Sequence, residues 1–321
     1  MNGSESVDVT IVLPVYRGAD CLNPLYERLK RTLDGMRVSH EILFVDDGSP
    51  DDAWQRISAI AERDVEVRAL RMSRNFGQHA AITAGLAESR GQRVIVMDAD
   101  LQESPEEIPR LYEAANAGFD VVLTRRRSRA QALPRRIIGR SFLRAVNVLA
   151  GTVTDINHGT MSLLSRAAVD SFLMIRDVHR EFLAVVYWLG FDRTTIDVEH
   201  HPRHEGQSSY SLRALALVGR SGLLFQTTRL LHLVTFAGMA TAFAGFAVAV
   251  YYLYSYAVSD PLPGYTSLAV LILILSGAIL CGLGVVGLYV GATFDQARGR
   301  PLFVVAETIP FGNQRGSQEI S

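Results

Sequence analysis

The chain has 321 residues, of which 48% are hydrophobic and 20% are charged, and its formal net charge is −1. A balance this close to neutral predicts no strongly basic surface, so nucleic acid is excluded as an expected partner. Cys21 and Cys281 lie far apart in the chain and can form neither a disulfide framework nor a zinc knuckle. The N-terminal residues lack the basic and apolar regions of a signal peptide, so we expect no cleaved leader.

Short β-branched runs alternate with helical stretches through the N-terminal part. The sequence predicts strands at Val9–Val15, Glu41–Val45, Val67–Met72 and Val94–Met97, and helices around Leu22–Leu33, Trp54–Glu62 and His79–Ala87. This alternation predicts an α/β fold with a Rossmann-like, mostly parallel sheet. In such folds the ligands bind at the carboxyl ends of the strands.

Carboxylates follow two of these predicted strands. Asp46 and Asp47 come after the second strand, and Asp98 and Asp100 follow the fourth, with Gln102 close behind. Two carboxylates separated by one residue can reach one side of a turn together. Mg²⁺ and Mn²⁺ prefer oxygen ligands of this kind, with the other positions filled by water and substrate phosphates. The pattern fits a divalent metal beside a phosphorylated ligand, and by itself it also fits an ordinary acidic turn after a strand.

Amphipathic stretches at 133–150 and 211–227 follow this region. In the first, Arg136 and Arg140 are four residues apart and share one helical face. Because long apolar segments come directly after the second stretch, both are predicted to lie as helices in the headgroup plane of a membrane.

Two apolar segments dominate the C-terminal third. Leu230–Tyr256 and Leu268–Phe294 each exceed the roughly 20 residues that cross a bilayer as a helix. Arginines flank the pair, whereas the connecting loop carries none. The positive-inside rule therefore predicts a two-helix membrane hairpin with both chain termini in the cytoplasm. We expect a catalytic domain at 1–210, a juxtamembrane helix at 211–229, the hairpin at 230–294 and a cytoplasmic tail at 295–321.

Four segments of the N-terminal domain carry a resemblance to a known family. The order PVYRG, VDDGSPDD, RNFGQHAA and MDADLQESPEEIP is similar to that of the family-2 glycosyltransferases, which have the GT-A fold. More narrowly, the chain resembles the polyprenyl-phosphate glycosyltransferases. That group includes dolichyl-phosphate mannose synthase and bacterial undecaprenyl-phosphate glucosyl and aminoarabinosyl transferases. The resemblance extends through both apolar segments.

The resemblance implies roles for the residues at matching positions. Pro14, Tyr16, Asp46, Asp47 and Asp98 would bind the nucleotide, and Asp98, Asp100 and Gln102 would hold Mg²⁺ or Mn²⁺. Tyr16 is followed by Arg17 and Gly18, where the family usually has asparagine and glutamate. This difference leaves a UDP-linked and a GDP-linked donor both open.

The acceptor side is also implied by the resemblance. Arg203, Ser208 and Tyr210 match a loop that covers the diphosphate, although Ser209 stands where the family has lysine. Asp155 matches an acidic position before a glycine and joins Asp98 and Asp100 as a catalytic candidate, with Asn157 as a competing alignment. At least one of three arginines is expected to bind a lipid phosphate: Arg126, Arg136 or Arg140.

The expected reaction is an inverting transfer of a sugar from a nucleotide sugar to polyprenyl phosphate of the undecaprenyl or dolichyl type, at the cytoplasmic leaflet of the cell membrane. The alternatives are a transferase acting on another lipid and a non-catalytic membrane scaffold. A processive synthase is disfavoured because the chain lacks a Gln-x-x-Arg-Trp signature. Glycines in the second apolar segment permit close helix packing and hence a homo-oligomer.

Overall fold

The computed structural model describes residues 7–126, 158–178, 180–198, 229–258 and 265–310. The chain divides into two compact units. The first takes residues 1–131, 153–208 and 300–321, and the second takes residues 132–152 and 209–299. The helices predicted at 133–150 and 211–227 lie outside the described residues.

The first unit is built on an eight-stranded sheet in the order β7-β5-β6-β4-β1-β2-β3-β8. Its strands are β1 (Val9–Val15), β2 (His40–Asp46), β3 (Val67–Met72), β4 (Arg93–Val96), β5 (Val121–Arg126), β6 (His158–Ser165), β7 (Arg193–Val198) and β8 (Val305–Ile309). The pairs β1–β2, β1–β4, β2–β3 and β5–β7 are parallel. The pairs β3–β8, β4–β6 and β5–β6 are antiparallel.

Helices cover both faces of this sheet. They are α1 (Ala19–Met36), α2 (Ala53–Arg63), α3 (Gln78–Glu88), α4 (Ile108–Asn116), α5 (Arg166–Met174) and α6 (Phe182–Leu189). Because side chains alternate along a strand, Ile11 and Leu13 pack with α1, α2 and α4, whereas Val12 packs with α3, α5 and α6. A Cβ at Gly85 would lie 2.2 Å from a Val12 methyl group, so α3 can approach β1 only with glycine there.

The sheet is mixed but mostly parallel, as predicted, because among the described strands β5 and β7 run in the same direction as the central strands β1–β4. The four strands β1–β4 are parallel to one another, as alternation with helices requires. β6 and β8 run the other way. Neither was predicted, because neither follows a strand–helix repeat in the chain: β6 comes after residues 127–157, and β8 comes after the apolar helices.

The second unit contains two apolar helices, α7 (Arg229–Val258) and α8 (Tyr265–Ala297). In the described part of the chain, the segment Leu275–Ala297 is long and apolar enough to cross a membrane, with a mean hydropathy of 1.9. The corresponding apolar stretch of α7, Val234–Val248, is shorter. The second predicted span therefore has a matching candidate, and a full crossing by the first stays a prediction.

Candidate active site

A cavity of about 770 Å³ opens where β1, β2 and β4 end. Its wall contains Pro14, Val15, Tyr16, Arg17, Gly18, Asp20, Cys21, Pro24, Asp47, Asn75, Gly77, Gln78, Ala81, Asp98, Ala99, Asp100 and Leu101. This is the edge at which a parallel sheet is expected to bind its ligand. Five residues predicted for the nucleotide and metal lie in this wall: Pro14, Tyr16, Asp47, Asp98 and Asp100.

Asp47 fixes the turn that leads into α3. Its two carboxylate oxygens accept hydrogen bonds from the amides of Phe76 and Gly77, at 2.7 and 2.8 Å. Burial raises the pKa of Asp47, although these two amides oppose the shift. Gly48 follows with a φ of 65°, and a Cβ there would lie 2.6 Å from the carbonyl carbon of Arg74. The loop after β2 and the loop before α3 are thus held together on one side of the cavity.

Asp46 lies behind this wall and is not part of its surface. It is fully buried, and its Oδ1 accepts a hydrogen bond from the Ser49 amide at 3.0 Å. The Nε of Arg71 lies 3.7 Å from its Oδ2. Burial raises the pKa of Asp46, with the Ser49 bonds and the Arg71 charge opposing. This geometry supports the turn, and direct nucleotide binding by Asp46 stays a prediction.

The segment after β4 brings two carboxylates into the cavity. The Oδ1 of Asp98 accepts a hydrogen bond from Gln78 Nε2 at 2.6 Å. The Oδ1 of Asp100 accepts one from the Gln102 amide at 3.1 Å. Leu101 has a φ of 61°, a conformation that is uncommon for a residue with a side chain and tends to occur at functional sites. This turn places Asp98 and Asp100 in the same wall.

Glu103 anchors this turn to the sheet. It is buried, and its Oε2 accepts a hydrogen bond from the Asp98 amide at 3.1 Å, while its Oε1 accepts one from the Met161 amide in β6 at 2.9 Å. No role for Glu103 was predicted from the sequence. Its position shortly after Asp98 was visible in the sequence, but its partner Met161 is 58 residues away.

Asp98 and Asp100 fit a hard divalent cation, because two carboxylate side chains line the same cavity. Gln102 is partly buried and lies outside the cavity wall, so its role as a ligand stays a prediction. Elsewhere in the described residues, Asp34, His40 and Glu66 could also surround a metal. Lys30 already pairs there with Asp34 and Glu66, so a cationic side chain occupies that cluster.

The loop after β1 forms the other side of the cavity. Tyr16 is 46% exposed, and the guanidinium of Arg17 lies 5.4 Å from the centre of its ring. The Arg17 amide donates to Ser49 Oγ at 3.0 Å, which ties this loop to the one after β2. Arg17 and Gly18 both have positive φ, at 65° and 81°, where the chain turns into α1. The Tyr16–Arg17–Gly18 sequence therefore forms a tight turn at the cavity rim.

The residues predicted for the acceptor side lie at the end of β5 or outside the described residues. Arg126 ends β5, and nothing is described of its side chain. The remaining candidates lie outside the described residues: Arg136, Arg140, Asp155, Asn157, Arg203, Ser208 and Tyr210. The described part of the chain thus contains the side of the site predicted for the nucleotide and the metal. Asn75 and Gln78, which also line the cavity, were within a quoted motif but had been given no role.

The residues that line the cavity lie in a segment that matches a known protein family. The family described as Glycosyl transferase family 2 matches residues 10–173, which include β2, β4, all of β1 except Val9, and every residue of the cavity wall. An uncharacterized glycosyltransferase, YkcC of Bacillus subtilis (strain 168), is 30% identical over 97% of this chain and 97% of its own.

A relative with a more specific name is also similar over most of its length. The undecaprenyl-phosphate 4-deoxy-4-formamido-L-arabinose transferase of Pseudomonas paraeruginosa (strain DSM 24068 / PA7) is 35% identical, over 94% of this chain and 90% of its own. Among solved structures, glucosyl-3-phosphoglycerate synthase from Mycobacterium tuberculosis in complex with Mg²⁺ and uridine diphosphate has a TM-score of 0.50. It is 18% identical and covers 70% of this chain and 79% of its own, a likeness of fold alone.

Proposed function

The chain belongs to glycosyl transferase family 2, and from this membership we propose that it transfers a sugar from a nucleotide sugar to polyprenyl phosphate. The observation that carries the proposal is the cavity at the ends of β1, β2 and β4. Its wall combines Asp98 and Asp100 with Pro14, Tyr16 and Asp47. A volume of about 770 Å³ is suited to a ligand of nucleotide-sugar size.

The proposed donor lies with its base towards Pro14 and Tyr16 and its diphosphate towards Asp98 and Asp100. Tyr16 is exposed at the rim and offers an aromatic face on which a base can stack. Asp47 already uses both oxygens to hold the turn before α3, so its contribution to the base is mainly to shape the pocket. The base itself, and with it the choice between UDP and GDP, is left to experiment.

A diphosphate beside two carboxylates needs a cation between them. Asp98 and Asp100, with Gln102 as a further candidate, would hold Mg²⁺ or Mn²⁺, which would neutralise the negative charge that builds up on the leaving diphosphate. The protein residues keep this arrangement in place. Gln78 holds Asp98 by a 2.6 Å hydrogen bond, and Glu103 holds the Asp98 amide. Preorganisation of this kind is how a site stabilises developing charge without rearranging during the reaction.

The proposed acceptor is a phosphate monoester on a polyprenyl lipid, in line with the name of the 35% identical relative. The second pKa of a phosphate monoester is about 6, so at neutral pH the phosphate is largely a dianion. One of its oxygens attacks the anomeric carbon as the bond from that carbon to the diphosphate oxygen breaks. Attack from the opposite face inverts the anomeric configuration. The product is a polyprenyl monophosphosugar, and the nucleoside diphosphate leaves. No proton transfer is required, so Asp155 is proposed to orient the acceptor.

The proposed topology is a membrane hairpin with the first unit and both termini in the cytoplasm. Strand β8 follows the apolar helices, yet it pairs with β3 in the same sheet as the N-terminal strands. The chain therefore returns to the side from which it left, which requires an even number of membrane crossings between residues 198 and 300. Two crossings, by α7 and α8, satisfy this condition. The arginines on both flanks and their absence from the connecting loop favour the cytoplasmic side for the sheet.

A donor screen tests this function directly. Purified full-length protein in detergent is incubated with short-chain polyprenyl phosphate, diacylglycerol, Mn²⁺ and a panel of UDP- and GDP-linked sugars, and lipid products are identified by mass spectrometry. We expect one donor to give a polyprenyl monophosphosugar whose formation stops on addition of a chelator. Transfer to diacylglycerol in place of polyprenyl phosphate would reject the proposed acceptor, and hydrolysis of every donor without transfer to any lipid would reject a lipid acceptor altogether.

A further inference from the structure

A second cavity, of about 200 Å³, adjoins the first. Its wall contains the first turn of α3 together with Val178, Arg180 and Leu302. The two cavities share Gly77 and Gln78, so the amino end of α3 separates them. No role was assigned to this region from the sequence.

Arg180 is the unusual residue of this wall. Only 8% of it is exposed, and its guanidinium lies 5.5 Å from the centre of the Phe172 ring. Its Nε donates to the Asp177 carbonyl at 3.3 Å, but its Nη1 is buried without a hydrogen-bond partner among the described residues. Burial lowers the pKa of Arg180, and the Asp177 charge opposes that shift. Arginine nevertheless stays protonated at neutral pH. A buried cation with an unused donor is costly unless an anion compensates it.

His79 and the amino end of α3 can supply further hydrogen-bond donors to this wall. His79 Nδ1 accepts a hydrogen bond from the Phe182 amide at 3.2 Å. Because Nδ1 accepts this bond, the ring proton lies on Nε2, which can donate. Gln78 and His79 are in the first turn of α3, an 11-residue helix, where backbone amides have no partner inside the helix. This end of a helix also carries partial positive charge.

We propose that the second cavity binds a phosphoryl group, held by Arg180, the His79 ring N–H and the amino end of α3. A guanidinium can bond two phosphoryl oxygens at once, and helix amino ends commonly bind phosphate. The inference rests on the proposed function, whose two substrates both carry phosphoryl groups. The group is either the phosphate monoester of the lipid acceptor or the diphosphate of the donor. A donor diphosphate bound in the first cavity could extend into the second, because Gly77 and Gln78 line both cavities.

Binding by full-length protein in detergent tests this proposal. Four probes form two pairs, each with a phosphorylated and an unphosphorylated member. For the donor, UDP or GDP is compared with its nucleoside. For the acceptor, polyprenyl phosphate is compared with polyprenol. The variants are Arg180→Met and Arg180→Lys. Arg63→Met is the matched control, because Arg63 also lies over an aromatic ring, Tyr26 at 5.1 Å, and is in neither cavity wall.

We expect Arg180→Met to weaken binding of one phosphorylated probe by roughly ten- to hundredfold, the loss typical of a hydrogen bond to a charged group. Binding of the matching unphosphorylated probe stays unchanged, and Arg180→Lys recovers part of the loss because it keeps a positive charge. A loss confined to polyprenyl phosphate assigns the subsite to the acceptor, and a loss confined to the nucleoside diphosphate assigns it to the donor. Arg63→Met binds all probes like the wild type.

Thermal unfolding without ligand separates binding from a structural role. Arg180→Met removes a buried charge that lacks a full set of partners, so we expect its melting temperature to equal or exceed that of the wild type. If Arg180→Met fails to fold, the binding of phosphorylated and unphosphorylated probes is compared between Arg180→Lys and the wild type. Wild-type binding of both phosphorylated probes by the folded Arg180 variants would overturn the subsite and leave the proposed function intact. A wild-type protein that binds neither phosphorylated probe would overturn both the phosphoryl subsite and the proposed function.

Discussion

Arg71 Nη1 donates a 2.8 Å hydrogen bond to Glu307 Oε1, joining residues 236 positions apart in the chain. Arg71 is in β3 and also faces Asp46, with its Nε 3.7 Å from the Asp46 carboxylate. Glu307 is in β8, and its other oxygen accepts from Trp54 Nε1 at 3.1 Å. The strand that follows the apolar helices is thus connected, through Arg71, to the turn behind the first cavity.

Replacing Glu307 by alanine should therefore affect both stability and donor binding. The Arg71–Glu307 pair is partly exposed, so its loss should cost about 1 kcal/mol or less of stability. We also expect the KM for the donor to rise, because Arg71 loses the partner that orients it towards Asp46. Glu106→Ala is the matched control: Glu106 makes a two-bond pair with Arg28, and neither residue is in the cavity wall. Steady-state kinetics and thermal unfolding measure both effects. Equal donor KM values in the two variants would contradict the proposed link.

Asp100→Asn should remove activity and leave the fold intact. An amide replaces a charged oxygen ligand, and loss of the stabilisation that a metal gives to a leaving diphosphate should cost roughly a hundredfold or more in kcat. Mn²⁺ binding, followed by electron paramagnetic resonance, should weaken in parallel. Asp170→Asn serves as the control because Asp170 is exposed on α5. Near-normal turnover by Asp100→Asn with normal Mn²⁺ binding would reject Asp100 as a ligand.

His79, in the wall of the second cavity, should make stability depend on pH. Its ring is partly accessible, but desolvation by the surrounding protein atoms lowers the pKa of His79 below its usual 6.5. As the pH falls below 6.5, the unfolded chain takes up a proton that the folded chain does not, so folding stability decreases until the lowered pKa is reached. His79→Gln keeps an acceptor for the Phe182 amide but cannot titrate. Thermal unfolding at pH 8 and pH 5.5 should therefore show a smaller decrease for His79→Gln than for the wild type. An equal decrease would show that His79 does not cause it.

Much of the first unit could be predicted because its signals are local. β1 and β3 match the predicted Val9–Val15 and Val67–Met72 residue for residue, since apolar residues predominate in each and polar segments flank it. α1 begins at Ala19, three residues before its predicted start, because Gly18 with a φ of 81° makes the turn into the helix.

Features that depend on distant partners could not be predicted in the same way. Val305–Ile309 reads as a short tail segment, and only its pairing with β3 makes it a strand. Glu103 was one acidic residue among several until Met161 and Asp98 were found to donate to it. The burial of Arg180 could not be predicted from the sequence, because its contact with Phe172 forms only in the packed structure. The carboxylates Asp98 and Asp100, by contrast, were predictable from their position after a strand.

The membrane topology can be tested with two reporters. One is inserted at Ser259, between α7 and α8, and the other is fused after Ser321. We expect them to report opposite sides of the membrane, with Ser321 in the cytoplasm, because β8 returns the chain to the sheet from which it left. Reporters on the same side would mean that the apolar helices do not cross the membrane as a pair.

The most direct test of the central claim is the transfer reaction with competing acceptors. Wild-type protein and Asp100→Asn are each given the donor found by screening, Mn²⁺, and an equimolar mixture of polyprenyl phosphate, polyprenol and diacylglycerol. The proposed function predicts that the wild type glycosylates polyprenyl phosphate alone, with inversion at the anomeric carbon, and that Asp100→Asn glycosylates none of the three. Transfer to polyprenol or diacylglycerol, or a product that retains the anomeric configuration, would contradict it.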